Sequence, residues 1–200
     1  MGLLQVLMSW VNRIVILVSV LLFMLSLMAK ETNIPLSRAS LRVGHLLSFS
    51  AWFGTSIWVS FIAGVVLMRA VDMDTFGVAQ SKLFDAYFLF SFLCLAVAGF
   101  SAAGLAAQQD AVVMSMTPFI VALACVVANL FFFGPQTSIT MAERTRVCKD
   151  LGVDRKSPHP EVRKLSKRFG MFHGMCNMLN LVSLACGFVH LCTLAGNLSL

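Results

Sequence analysis

The chain has 200 residues, 58% of them hydrophobic and only 12% charged, with a mean hydropathy of +0.86. Long apolar runs separated by short charged stretches exclude an ordinary soluble domain and make this an integral membrane protein. The net charge of +6 calls for no nucleic-acid partner, because most of the basic residues fall in one short segment between spans.

At the N-terminus, Ile14 to Ala29 supplies 16 uncharged, mostly apolar residues after Arg13, which is marginal for a span and typical of a signal-peptide core. A signal peptidase prefers small residues at the first and third positions before the cut. Leu27-Met28-Ala29 offers only one, and an apolar stretch already precedes Arg13. The expectation is an uncleaved extra helix, extended upstream through Val11.

Four longer runs follow. Between Arg42 and Arg69 lie 26 residues whose only titratable base is His45, and 24 uncharged residues separate Asp85 from Asp110. Ala111 to Phe133 is uncharged, as is everything after Arg168 apart from His173 and His190. About 20 helical residues, each rising about 1.5 Å, cross a hydrocarbon core of about 30 Å. No run alternates with the two-residue period of a membrane barrel. The fold class is therefore all-α, a polytopic bundle of four core transmembrane helices plus the N-terminal helix. Residues 1–41 hold that helix and an outer loop, and 42–200 the four-helix domain, with a basic cytoplasmic segment at 134–168.

Nine Lys and Arg residues between Gly134 and Arg168 place that segment in the cytoplasm. Threading backward puts Arg69 and Lys82 on the same side and Lys30, Arg38 and Arg42 outside, a bias of twelve inside to three outside once Arg13 is counted. Glu143, Asp150, Asp154 and Glu161 leave the segment at net +5. Such a surface suits an anionic lipid or a protein partner. Five of the six cysteines lie in apolar runs, and no CxxC or Cys/His cluster occurs, so neither disulfides nor a metal site is expected.

Within the cytoplasmic segment, Pro135 is expected to end the third span and Thr140 with Glu143 to open a helix as a capping box. Gly152 is expected to stop that helix. Ser157, Pro158 and Pro160 announce another, whose Val162, Leu165, Phe169 and Phe172 share a face and run on into the last span.

Helices in lipid associate through close packing and interhelical hydrogen bonds. Ser56, Ser60 and Gly64 in the first core span recur every four residues, as do Gly99, Ala103 and Ala107 in the second, and both are expected to be packing spines. His173, Asn177 and Asn180 form a polar stripe on the last helix. Asn129, Gln80 and Lys82 are its expected partners. Together they are the candidate polar intramembrane site, either interhelical glue or a binding site. His45 and His190 are expected at one depth near the outer end, too few ligands for a tight metal site. Trp52 and Trp58, six residues apart, point about 120° away from each other.

Arg42-Val-Gly-His45-Leu-Leu, Trp52-Phe-Gly54 and Trp58-Val-Ser-Phe61 open a pattern that resembles the transmembrane protein 205 family. Phe76-Gly77, Gln80-Ser81-Lys82-Leu83-Phe84 and Tyr87-Phe88 continue it. Asn129, Pro135, Thr137, Met141 with Glu143-Arg144, then Phe169-Gly170-Met-Phe172-His173-Gly174 and Asn177 complete it in order and spacing, from about Arg42 to Gly196. The resemblance implies a small four-helix membrane domain of the endomembrane system or plasma membrane, with a link to trafficking or drug tolerance and no particular reaction. Asp85 stands where the family usually has proline, so the kink or helix start expected there is in question, and Asp85 could instead pair with Lys82.

Three functions are compatible with these residues. A membrane scaffold or trafficking adaptor would use the basic segment, as a monomer or an oligomer. A small transporter or channel would use the polar stripe. An intramembrane enzyme finds no HExxH, no GxSxG, no paired acids and no nucleophile with a base, and no cofactor is expected.

Overall fold

The first described helix starts where Ser37 turns its hydroxyl back to accept a hydrogen bond from the Ser40 amide at 3.1 Å, an N-cap that the sequence supplies locally. In this computed structural model residues 37–107 and 116–197 are described. The helix expected over Ile14 to Ala29 and the turn carrying Asp110 lie outside them. Helix α1 is Arg38–Ile57 and passes through a π-helical turn, Trp58–Ala63, into α2, Gly64–Ala70. Helix α3 is Met73–Ala107; α4, Thr117–Ala128, leads through a second π-turn, Asn129–Phe133, into α5, Gly134–Leu151; and α6 is Pro160–Asn197. Among the described residues there is no strand.

These segments make four continuous helices, of 33, 35, 35 and 37 residues, long and apolar enough to cross a bilayer. A helix of 35 residues is about 52 Å long, so each outruns the hydrocarbon core. The excess gathers at the basic end, where the start of α3, all of α5 and the start of α6 run on as helices. Helix α3 is unbroken through Asp85, so no new helix start falls there.

Pro135 does not end the third span. A π-turn opens the backbone by one residue, the Gly134 amide reaches the Asn129 carbonyl, and the proline ring, which has no N–H to give, is absorbed just beyond it. Thr140 is consequently a mid-helix residue, fully buried, and not an N-cap. Gly152 does stop α5, at φ 63°, with the Val153 amide on the Cys148 carbonyl and the Gly152 amide on that of Lys149. The last helix starts at Pro160, its Arg163 amide bonded to the His159 carbonyl, and runs on into the final span.

Packing places α1 chiefly against α3, and both α4 and α5 against α6, with α3 against α4 and a lighter contact between α1 and α6 closing the bundle. Since lipid removes most of the hydrophobic gain between helices, close fit is what remains. At Gly44 a β-carbon would come within 3.1 Å of Ser101 Oγ, and at Gly104 within 3.1 Å of Leu41 Cδ1. The packing face of α3 is Ser91, Leu95, Ala98, Ala102 and Leu105. Gly99, Ala103 and Ala107 are less enclosed, the two alanines being exposed, so the spine expected there is displaced by one position along the helix.

Two apolar clusters result. One gathers Phe49, Trp52, Leu95, Ala98, Phe119, Ala122 and Val126; the other gathers Val59, Tyr87, Phe88, Leu130 and Cys176, nearer the basic end. Trp52 is 1% exposed and Trp58 is 54% exposed, on different sides of the helix as their spacing requires.

Candidate functional site

Between the two apolar clusters lies a layer of hydrogen bonds centred on Asn180. Ser56 donates to the Trp52 carbonyl one turn earlier, at 2.7 Å, which fixes its oxygen on the inner face of α1. Tyr87, the single tyrosine of the chain, is carried by α3 to the same depth. Its one phenolic proton is shared between Asn180 Oδ1 at 2.7 Å and Ser56 Oγ at 3.0 Å. The other side of the Asn180 amide donates to Ser60 Oγ at 2.8 Å, in the first π-turn. Three helices are thereby joined through side chains that would be costly to leave unpaired in an apolar setting.

Asn129 opens the second π-turn, is 1% exposed, and donates from Nδ2 to the Cys176 carbonyl at 3.0 Å. Cys176 is one helical turn before Asn180, so both π-turns dock on adjacent turns of α6. The Asn129 Oδ1 atom is buried and has no partner among the described residues.

The expected stripe is therefore divided. Asn180 is buried, whereas His173 and Asn177 are exposed and bonded to each other, with Asn177 Nδ2 donating to His173 Nε2 at 3.1 Å. Because an amide nitrogen only donates, that ring nitrogen accepts. His173 also stacks on Phe169 with centroids 5.4 Å apart. Gln80 is half-buried and leans toward Gly64, where a β-carbon would meet its Nε2 at 3.3 Å, while its Oε1 has no partner. Lys82 is exposed on α3. Of the six residues expected to form one site, Asn180 and Asn129 anchor on α6 side by side, His173 pairs with Asn177, and Gln80 and Lys82 stand apart on α3.

The residues that sequence reasoning missed are Tyr87 and Ser56 as partners of Asn180. A lone tyrosine at bilayer depth was the available signal, since a buried phenol seeks a hydrogen bond.

At the opposite end of the bundle His45 and His190 meet at one level, as their positions predict. His45 Nδ1 lies 2.9 Å from the Ala98 carbonyl and Nε2 lies 3.0 Å from His190 Nε2. The carbonyl can only accept, so Nδ1 carries the proton, Nε2 accepts, and His190 donates. Phe119 and Phe49 meet the His190 ring edge-on at 4.5 and 4.9 Å. Among the described residues no third His, Cys, Asp or Glu joins the pair to make a metal-binding group.

At the basic end, Ser81 donates to Ser138 at 3.1 Å, Arg168 to Gln136 at 3.5 Å, and Arg155 pairs with Asp74. Arg144 lies over the Phe169 ring at 4.5 Å and Arg168 over Phe172 at 5.6 Å.

A family model described as a domain of unknown function (DUF4149) matches residues 47–146. Transmembrane protein 205 of Danio rerio is 33% identical over 182 residues, covering 78% of this chain and 93% of the relative. No solved structure matches.

Proposed function

The chain belongs to the transmembrane protein 205 family, and on that premise we propose that it is a non-catalytic membrane scaffold or trafficking adaptor whose basic end is a docking platform at the cytoplasmic face. The observation that carries this reading is the commitment of Asn180: both sides of its amide are used between helices, at 2.7 and 2.8 Å, so the strongest polar group of the stripe acts as glue. Meanwhile the helices beyond the bilayer are cross-tied from α3 to α5 and from α5 to α6. That makes a preformed platform with Lys149, Arg163, Lys164 and Lys167 exposed on it. A rigid basic surface favours fast, salt-sensitive encounter with acidic partners.

The test is capture of proximal proteins from intact cells by a labelling enzyme fused to the chain. Reversing charge at Lys149, Lys164 and Lys167 should abolish the captured set while leaving the protein folded, and Asn180→Leu, among molecules that still fold, should leave the set intact. An unchanged set in the charge-reversed protein sinks the adaptor reading.

A small transporter or channel is the second reading, favoured by the unpartnered Asn129 Oδ1 beside a π-turn, a distortion often found at functional sites. It requires flux in proteoliposomes that His173→Ala and Asn129→Leu remove without changing expression.

A further inference from the structure

On the face of α5 that packs toward α6, Thr140, Arg144 and Cys148 follow one another at single-turn spacing; Val162, Ser166 and Phe169 share a face of α6. A guanidinium always carries its charge and has five N–H donors. Arg144 makes no hydrogen bond or ion pair with any described residue, and its Nε is shut off from solvent. It lies on the Phe169 ring at 4.5 Å, and Arg155 is close enough for the two cations to repel. Arg155 spends one donor on the Met73 carbonyl at 3.3 Å and one on Asp74, so three of its five are left. One turn before Arg144, Thr140 Oγ1 is 0% exposed and unpartnered, and Ser166 Oγ is likewise buried without a partner.

A half-desolvated guanidinium with no counter-ion of its own and idle hydroxyls alongside is a costly arrangement for a chain to keep. It is the complement of a multivalent oxyanion, which guanidinium forks and hydroxyls recognise best. We propose that Arg144 and Arg155, with the hydroxyl of Thr140, form a binding site for the phosphate group of a phosphate monoester. A monoester offers three terminal oxygens to the free donors of the two guanidiniums and the threonine hydroxyl, where a carboxylate or a diester offers only two, and its charge of about −2 outweighs the Asp74 carboxylate already held by Arg155. Arg168 is the last ionic residue before the uncharged run of α6 and Phe169 follows it directly. The site is therefore at lipid-headgroup depth, within reach both of a phosphatidic acid headgroup and of soluble phosphate. This site goes beyond the adaptor reading and stands even if no protein docks on the platform.

The test uses the full chain in phosphatidylcholine nanodiscs, alone or with phosphatidic acid, and with or without inorganic phosphate in the buffer. Retained phosphatidic acid in native mass spectra identifies the lipid source, and a phosphate-dependent rise in Tm in plain discs identifies the soluble one. In Arg144→Gln the affinity for either probe should fall about tenfold, the loss of one charge-assisted contact, read from the probe concentration needed for the same retention or the same rise in Tm. Arg155→Gln, in the turn between α5 and α6, carries the same expectation and serves if Arg144→Gln fails to fold. Lys149→Gln removes the same charge from the exposed face and should change binding by no more than about twofold. Phosphatidylglycerol, an anionic diester, should not substitute for phosphatidic acid. The proposal is overturned if neither probe binds the wild type, if both arginine variants bind like it, if Lys149→Gln loses as much as they do, or if the diester binds equally.

Discussion

His45 and His190 bring the first and last described helices into direct contact, Nε2 to Nε2 at 3.0 Å, across 145 positions of sequence. The pair completes the light contact between α1 and α6, and its proton order is set from outside by the Ala98 carbonyl. Replacing His190 with Phe would leave the His45 Nε2 acceptor buried and unpaired, at a cost of about 1–3 kcal/mol. The double variant with His45→Phe should lose less than the sum of the two single ones. Reversible unfolding in detergent, arranged as a double-mutant cycle, measures that coupling; additive losses would mean the contact holds nothing.

Tyr87→Phe deletes the one proton shared by Asn180 and Ser56. Interhelical hydrogen bonds in bilayers average well under the value in water-soluble cores, so a loss of about 1 kcal/mol is expected, with the helix content unchanged. Because the chain has a single tyrosine, subtracting the Tyr87→Phe spectrum isolates the near-ultraviolet phenol band of this network from the three tryptophans. It should shift in Asn180→Leu and stay unmoved in His173→Ala.

Gly134→Ala places a methyl 2.7 Å from the Asn129 carbonyl, a backbone atom that has no side-chain freedom to retreat. The second π-turn must open or rewind, and a destabilisation of about 1–3 kcal/mol follows. Gly170→Ala meets nothing within 4 Å and is the matched control, expected to be neutral or stabilising.

Asp72 caps α3: Oδ1 accepts from the amides of Asp74 and Thr75 at 3.0 Å each, and Oδ2 from the Thr75 hydroxyl at 2.6 Å. The Thr75 hydroxyl first, then its amide, hold the carboxyl below its usual range. A carboxyl lowered in the folded state contributes stability that is present above its unfolded pKa and lost as pH falls through the folded one. Wild-type Tm should therefore decline on acidification below about pH 4. Asp72→Asn, which still caps, should show a shallower decline, and equal slopes would exclude the cap as its source.

The four spans were legible because lipid leaves a helix no way to hide a charge: the uncharged runs after Arg42, Asp85, Asp110 and Arg168 mark them directly. Gly152 was legible as a stop for a local reason, its left-handed backbone. The common depth of His45 and His190 followed from helical rise alone. The π-turns were not legible, since an extra residue in a turn leaves no residue type behind, and Pro135 was misread as a terminator for that cause. Once the helix continued, Thr140 lost its role as a cap and became a buried hydroxyl in search of a partner. His173 and Asn180 stand seven residues apart, almost in line on an ideal helix, yet one is exposed and the other buried. Rotation around a helix tells which residues share a side; it does not tell where along that side a neighbour is standing. Arg144 escaped notice because its missing counter-ion is a property of three helices at once.

The two π-turns also divide the first and third membrane helices into halves of different rotational phase. One surplus residue advances everything downstream by about 100° around the axis. Shortening Trp58–Ala63 by one residue would thus leave α1 seated on α3 while swinging Gly64–Ala70 about a quarter turn away from Gln80, converting a deletion into a rotation. Sequence length at these two places works as an angular setting, one that positions the basic end of each helix independently of the end that holds the histidines.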